Sequence, residues 1–300
     1  MTMTAQMIAV FTKNRLNPAY EAARIGADRV AARMGARTVH YVPGRPDDID
    51  QQRALVEQAI AARPDAAVFV PVHGVLMNDW VRRFREAGIP LFNMINRLDD
   101  ADDYVCFVGA DDLKLASMAG RVLYEAMGGQ SNVVILEGTP GTITSRERSQ
   151  GFRETAKEYP GIRIVGAREG LFLYEPGRRA MEAFIAELPV IDGVAATNDS
   201  TALGAIDALA AAGRRVQVVG VNAIPEAIAR LRDGSLLATA DFDAMKIAAV
   251  ATEAAIRFLR GESVPKQLLL PVQVIQRGNC EAHDRPLEQR TCPPWEALVG

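Results

Sequence analysis

Two carboxamides, Asn198 and Asn222, stand just past short apolar runs, where a side chain can meet a small molecule. Val194–Thr197 reads as a buried strand. Ala202, Leu203, Ala205, Ile206 and Leu209 then recur at helical spacing, Gly213 ends the helix, and Val216–Val221 reads as the next strand. In a parallel α/β sheet, ligands bind beyond the carboxyl ends of the strands, so both carboxamides are placed to hydrogen-bond one. Capping competes with that role. Asp is a favoured N-cap, which makes capping the stronger reading for Asp199 and the weaker one for Asn198.

Other strand ends carry similar groups. The first is followed by Lys13, Asn14, Arg15, Leu16, Asn17, Pro18, Ala19 and Tyr20. Asn17-Pro18 also suits a helix entry, so Asn17 reads as either a cap or a ligand group. Asn96-Arg97 follows a later strand, and Phe172 and Phe242 follow two more. Arg146 and Arg148 fall in the first turn of an expected helix, where cations oppose the helix dipole. A surface salt bridge and a ligand-facing guanidinium both account for Arg148. Nothing here assembles a catalyst. The chain has no phosphate-cradling Gly-x-x-x-x-Gly-Lys loop, no Gly-x-Gly-x-x-Gly turn and no Gly-x-Ser-x-Gly elbow. His40, His73 and His283 are far apart, without metal-ligand spacing. No catalytic residue, metal or cofactor is assigned.

The elements that carry these groups alternate regularly. Strands are expected at Met7–Phe11, Arg37–Tyr41, Ala66–Val70 and Pro90–Met94, with helices at Tyr20–Met34, Asp48–Ala62 and Trp80–Glu86. The rhythm restarts with strand Tyr104–Val108 and helix Asp112–Met127. Strand Asn132–Leu136, helix Ser145–Lys157, strand Ile162–Gly166 and helix Gly177–Ala186 follow. After Asn222 come helix Glu226–Arg232, strand Leu236–Ala240, helix Ala244–Arg260 and a single strand Leu268–Gln276 before a Pro-rich tail. The fold expected is α/β, with two doubly wound parallel-sheet lobes joined by a multi-crossing hinge. The first lobe takes residues 1–110 and 243–273, and the second takes 111–242 and 274–300. A ligand cleft is expected between them.

The chain's 300 residues are 49% apolar, enough for two cores, and its net charge is −3. No basic block suggests nucleic acid, and no apolar run is long enough to span a bilayer. The run Met7–Phe11 is short and lacks a basic flank, so it reads as a strand and not a signal peptide. Cys280 and Cys292 form a disulfide or remain two free thiols; Cys106 reads as a buried, inert thiol.

The chain resembles the periplasmic sugar-binding proteins of ABC importers, of the ribose-binding type with the type I periplasmic binding fold. The resemblance rests on Asn17-Pro18-Ala19-Tyr20, Ala87-Gly88-Ile89-Pro90, Asn96-Arg97, Val108-Gly109-Ala110-Asp111 and Glu137-Gly138-Thr139-Pro140-Gly141. It continues through Arg146-Glu147-Arg148 with Gly151-Phe152, Asn198-Asp199 with Ala202-Leu203-Gly204-Ala205, and Val218-Val219-Gly220-Val221-Asn222. It implies ligand contacts at Asn17, Tyr20, Asn96, Arg97, Arg148, Phe172, Asn198, Asn222 and Phe242, with Lys13 added as a nearby cation. Ala19 stands where an aromatic is usual, Asn96 and Asn222 where ribose binders carry aspartate, and Phe242 at a glutamine position. These departures open the choice to a polyol, another pentose, a cyclitol or an acidic sugar.

The partners implied are that small solute and a membrane permease. The protein is expected to be monomeric and periplasmic, with its signal peptide removed. A cytosolic sugar-responsive sensor of the same fold is the alternative, although such repressors carry an N-terminal helix-turn-helix for which there is no room before Met7. Arg148→Ala and Asn198→Ala are each expected to weaken binding with little change in melting temperature.

Overall fold

Apolar runs bounded by turn residues become strands here, and the amphipathic segments between them become helices. The computed structural model describes residues 5–292 and 294–296. The chain forms two compact units. One holds the chain through Ala110, Asp243–Leu270 and the tail from Pro286; the other holds Asp111–Phe242 and Pro271–Arg285.

The first unit begins with β1 (Met7–Phe11), α1 (Pro18–Arg33), β2 (Arg37–Tyr41), α2 (Ile49–Ala61), β3 (Ala66–Phe69), α3 (Asn78–Glu86), β4 (Leu91–Met94) and β5 (Cys106–Gly109). It is completed by α9 (Ala244–Leu259) and β11 (Gln267–Leu269). Its sheet runs β11-β5-β4-β3-β1-β2, all parallel. β3, β4 and β5 are buried along their whole length, as expected of parallel strands covered by helices on both faces. Phe11, Tyr41, Phe69 and Phe84 fill one side of it, with Phe11 stacked on Tyr41 at 4.9 Å. α1 and α9 pack closely on the other. A Cβ on Gly26 would lie 2.3 Å from the Met245 carbonyl oxygen, so α1 keeps a glycine there.

The second unit contains α4 (Asp112–Ala126), β6 (Gln130–Glu137), α5 (Ile143–Ala156), β7 (Gly161–Glu169), α6 (Tyr174–Glu187), β8 (Gly193–Ala196), α7 (Asp199–Ala211), β9 (Gln217–Val221), α8 (Pro225–Asp233), β10 (Ala238–Asp241) and β12 (Gln273–Gln276). Its order is β12-β10-β9-β8-β6-β7, parallel except for the antiparallel edge strand β12. In both sheets the order reverses beside the first strand of the unit, between β1 and β3 and between β6 and β8. The loops leaving those strands flank a crevice at their carboxyl ends.

The expected α/β, doubly wound architecture is what forms, with two differences near the end of the chain. The run Leu268–Gln276 is two strands, because Leu270-Pro271 interrupts it and each half joins a different sheet. The described residues of the tail from Pro286, expected in the second unit, pack on the first. Leu287 lies against Ala22 and Met245, Arg29 donates to the Arg290 carbonyl, and Arg257 reaches Glu296 at 3.0 Å. All three cysteines are free thiols, and burial pushes that of Cys106 up to about 12.

Candidate functional site

In the first unit the loop after β1 is built around Asn14. Its Oδ1 accepts from the backbone N–H of Leu16 at 3.1 Å and Asn17 at 2.9 Å, while its Nδ2 donates to Asp47 at 2.8 Å. Asp47 also pairs with the buried Lys13 ammonium at 3.2 Å. Asn17 caps α1, its side chain accepting from Ala19 N–H at 3.0 Å, and Pro18 fills the first helical position. One turn along α1, the Tyr20 hydroxyl donates to Asn96 Oδ1 at 3.2 Å.

The turn after β4 is held by Asn93, a polar residue wholly buried in its strand. Its Nδ2 donates to the carbonyls of Phe69 at 3.0 Å and Asn96 at 2.9 Å, and its Oδ1 accepts from Leu98 N–H at 2.9 Å. Ile95 adopts φ 62° there. The Arg97 guanidinium lies 5.7 Å from the Phe107 ring. Lys13, Asn17, Tyr20, Asn96 and Arg97 therefore gather at the carboxyl end of one sheet.

In the second unit Arg148 is the hub. It sits in the second turn of α5, which starts two residues earlier than expected, at Ile143. Its Nε donates to Asp112 at 2.7 Å, and its Nη1 donates to the Thr197 carbonyl at 2.9 Å and to Asn222 Oδ1 at 3.4 Å. The guanidinium lies 5.4 Å from the Phe242 ring. Among the described residues Nη2 carries no hydrogen bond, so one edge of a rigid, stacked cation is left to donate. Phe172 follows β7 with φ 59°, its ring close over Gly138.

The cap of α7 falls on Asn198 and not, as expected, on Asp199. Asn198 is the cap: its Oδ1 accepts from Thr201 N–H at 3.0 Å, and its Nδ2 donates to the Phe172 carbonyl at 2.9 Å. Asp199 is fully buried and turns away from the start of its own helix, to the Thr239 hydroxyl at 2.7 Å and Ile224 N–H at 3.0 Å. Burial pushes its carboxyl up to about 7. Phe172, Asn198, Asn222, Phe242 and Arg148 form one connected group at the end of this sheet. Sequence reasoning assigned no site role to Asn14, Asp47, Asn93 or Asp112, although Asn14 stands in the loop after the first strand and Asn93 is a carboxamide inside the apolar run Leu91–Ile95.

The histidines serve local structure. His73 Nδ1 accepts from Val75 and Leu76 N–H at 3.2 and 3.3 Å, His40 sits 2.7 Å from Asp28, and His283 lies 3.1 Å from Asp241. Among the described residues no group of His, Cys, Asp or Glu is arranged to hold a metal, and no helix is long and apolar enough to cross a membrane.

Residues 8–263 match the family model described as a periplasmic binding protein domain. A D-ribose/D-allose-binding protein of Pseudomonas aeruginosa is 34% identical over 223 residues, covering 72% of this chain and 70% of that protein. A periplasmic solute-binding protein of an Actinobacillus succinogenes ABC transporter, solved with bound D-allose, superposes with a TM-score of 0.87 at 28% identity. That match covers 92% of this chain and 99% of the other. An ABC transporter solute-binding protein of Bacillus halodurans with bound myo-inositol gives a TM-score of 0.87 at 26% identity, over 95% and 99% of the two chains.

Proposed function

This chain belongs to the periplasmic binding protein family, and from that premise we propose that it is the solute-binding component of an ABC-type importer, delivering a sugar, polyol or cyclitol to a membrane permease. The family is one of binding proteins, and its relatives among ABC transporter solute-binding proteins favour import over a cytosolic sensor. The observation that carries the reading is Arg148, fixed on Asp112 and Thr197 with an unsatisfied edge beside Asn222 and above Phe242. A sugar has an apolar C–H face and a rim of vicinal hydroxyls. Aromatic rings suit the face, and planar multidentate donors and acceptors suit the rim.

Charge narrows the solute. Lys13 and Arg148, the buried cations of the two groups, already face the carboxylates of Asp47 and Asp112. The ligand therefore need bring no charge, which favours neutral D-ribose, D-allose, a pentitol or an inositol over an acidic sugar. We take Lys13, Asn17, Tyr20, Asn96 and Arg97 from one unit, and Arg148, Phe172, Asn198, Asn222 and Phe242 from the other, to share one solute. Each neutral hydrogen bond contributes about 0.5–1.5 kcal/mol net, and each to a charged group roughly 1.5–3. Several together offset an association cost of about 4–15 kcal/mol, consistent with micromolar binding or better.

A solute touched by both units stabilises the form in which they approach, and the permease reads that form. The protein then works as a monomer in the periplasm, with no nucleic-acid partner. A thermal-shift screen over pentoses, hexoses, polyols, cyclitols and sugar acids tests the class: a raised melting temperature is expected with a neutral member. Scattering tests the motion: the radius of gyration should fall on saturation, and an unchanged radius with bound solute refutes closure.

A further inference from the structure

The turn that presents Asn222 is held in a costly shape. Asn222 has φ 125° and the next residue, Ala223, has φ 51°, both left-handed conformations that L-residues rarely adopt. Such a pair persists only where its surroundings fix it. Asn222 N–H donates to the Ala240 carbonyl at 2.8 Å, Ala223 N–H to the Thr239 hydroxyl at 3.1 Å, and Ile224 N–H to Asp199 at 3.0 Å. The Thr239 hydroxyl in turn donates to the other Asp199 oxygen at 2.7 Å. One buried carboxylate thus receives two of the three ties directly or through a single hydroxyl.

The neighbouring strand is shaped to admit that carboxylate. Gly220 lies across from Thr239 in the sheet, and a Cβ at Gly220 would fall 2.3 Å from Asp199 Oδ1. Asp199 is also two residues past Thr197, whose carbonyl shares the Arg148 Nη1 proton donor with Asn222. The start of α7, the turn after β9 and the inner face of β10 are therefore tied at one point behind the Arg148–Asn222 pair.

We propose that Asp199 is a positioning residue for solute binding: with Thr239 it locks the turn Asn222–Ile224 so that the Asn222 carboxamide stays aligned with Arg148. This rests on the reading above in which Asn222 contacts the solute. It goes beyond helix capping, because the carboxylate serves a turn 25 residues away and not the first turn of α7.

The test is a double-mutant cycle read by calorimetry, with D-ribose, D-allose and myo-inositol as the probes. Thr239→Val removes the relay hydroxyl at constant shape, and Asp199→Asn removes one acceptor. Each should weaken binding about tenfold in the parent chain, the scale of one hydrogen bond to a charged group. Each should change it less than about twofold once Asn222→Ala is present, because the effect runs through that side chain. Thr239→Val carries the test if Asp199→Asn does not fold. Equal losses in both backgrounds, or a lowered melting temperature with unchanged affinity, would overturn the positioning role while leaving the site intact. Unchanged affinity in Asn222→Ala alone, or no heat with any of the three probes, would refute the site reading and the inference with it.

Discussion

Replacing Arg148 by alanine separates two accounts of that residue. If it serves only the ligand, its removal costs affinity and leaves the free protein as stable as before. The structure implies otherwise. The Arg148 side chain is 5% exposed and that of its partner Asp112 is 10% exposed, with 2.7 Å between them. Alanine leaves the carboxylate buried with its cation gone, and breaking a buried pair in this way costs about 3–5 kcal/mol. For a unit of this size each kcal/mol moves the melting midpoint by roughly 2–4 °C, so a fall of roughly 6–20 °C is expected in the transition of the second unit. Calorimetric melting measures it directly, beside a binding isotherm with the solute found by thermal shift. The double variant Arg148→Met with Asp112→Leu should recover most of the lost stability, since apolar replacement of a buried pair is often neutral or better, but none of the affinity. A melting point for Arg148→Ala within about 2 °C of the parent would refute the reasoning and restore the ligand-only account.

Four further outcomes are expected. Gly26→Val should destabilise the first unit by about 1–3 kcal/mol, because its Cβ meets the Met245 carbonyl oxygen of α9; denaturant titration reads this. Asn17→Ser keeps a capping oxygen for Ala19 N–H, so stability should hold within about 0.5 kcal/mol while affinity falls, whereas Asn17→Ala should lose about 1 kcal/mol as well. Asp199 links stability to pH. Its folded carboxyl titrates near 7 against an ordinary 3.8, so between those values the folded chain holds a proton that the unfolded chain lacks. Its stabilising contribution is complete below the lower value and is lost as pH rises through about 7. Asp199→Asn should therefore gain on the parent between pH 5 and pH 8 in urea midpoints, and a constant difference would contradict the burial argument. Reducing agent should leave the melting temperature unchanged, and the unfolded chain should titrate all 3 cysteines without prior reduction.

Periodicity is a local property, and the parts of this fold that depend on local pattern were readable from the chain. Apolar runs broken by Gly and Pro placed the strands, and the strand ends in turn placed Asn17, Asn96, Asn198 and Asn222. What could not be read were pairings across long stretches of chain. Asp112 lies 36 residues before Arg148, and Asp47 lies 33 after Asn14. No spacing rule connects such residues, because their meeting is made by the sheet order. The same cause explains Leu268–Gln276, where a run that looks continuous is shared by two sheets.

That Asn198 and not Asp199 caps α7 shows how far a local rule reaches. Either side chain can cap α7, so propensity alone ranks them without deciding. The decision lies with Gly220, which has no Cβ to crowd Asp199 Oδ1, and with Thr239, which sets a hydroxyl on the strand side of the helix start. A carboxylate accepts twice from that side, from Thr239 and from Ile224 N–H. A carboxamide in the same place would bring a second donor against Ile224 N–H or the Thr239 hydroxyl. Asn at 198 has the complementary need, since it must accept from Thr201 and donate to the Phe172 carbonyl at once. Swapping the pair, Asn198→Asp with Asp199→Asn, keeps composition and capping potential but reverses both donor sets. It should therefore cost more stability than either neighbour's removal of a surface cap, above about 2 kcal/mol by denaturant titration. A swap that melted like the parent would show that capping propensity, and not the hydrogen bonds behind the turn, sets the order of these two residues.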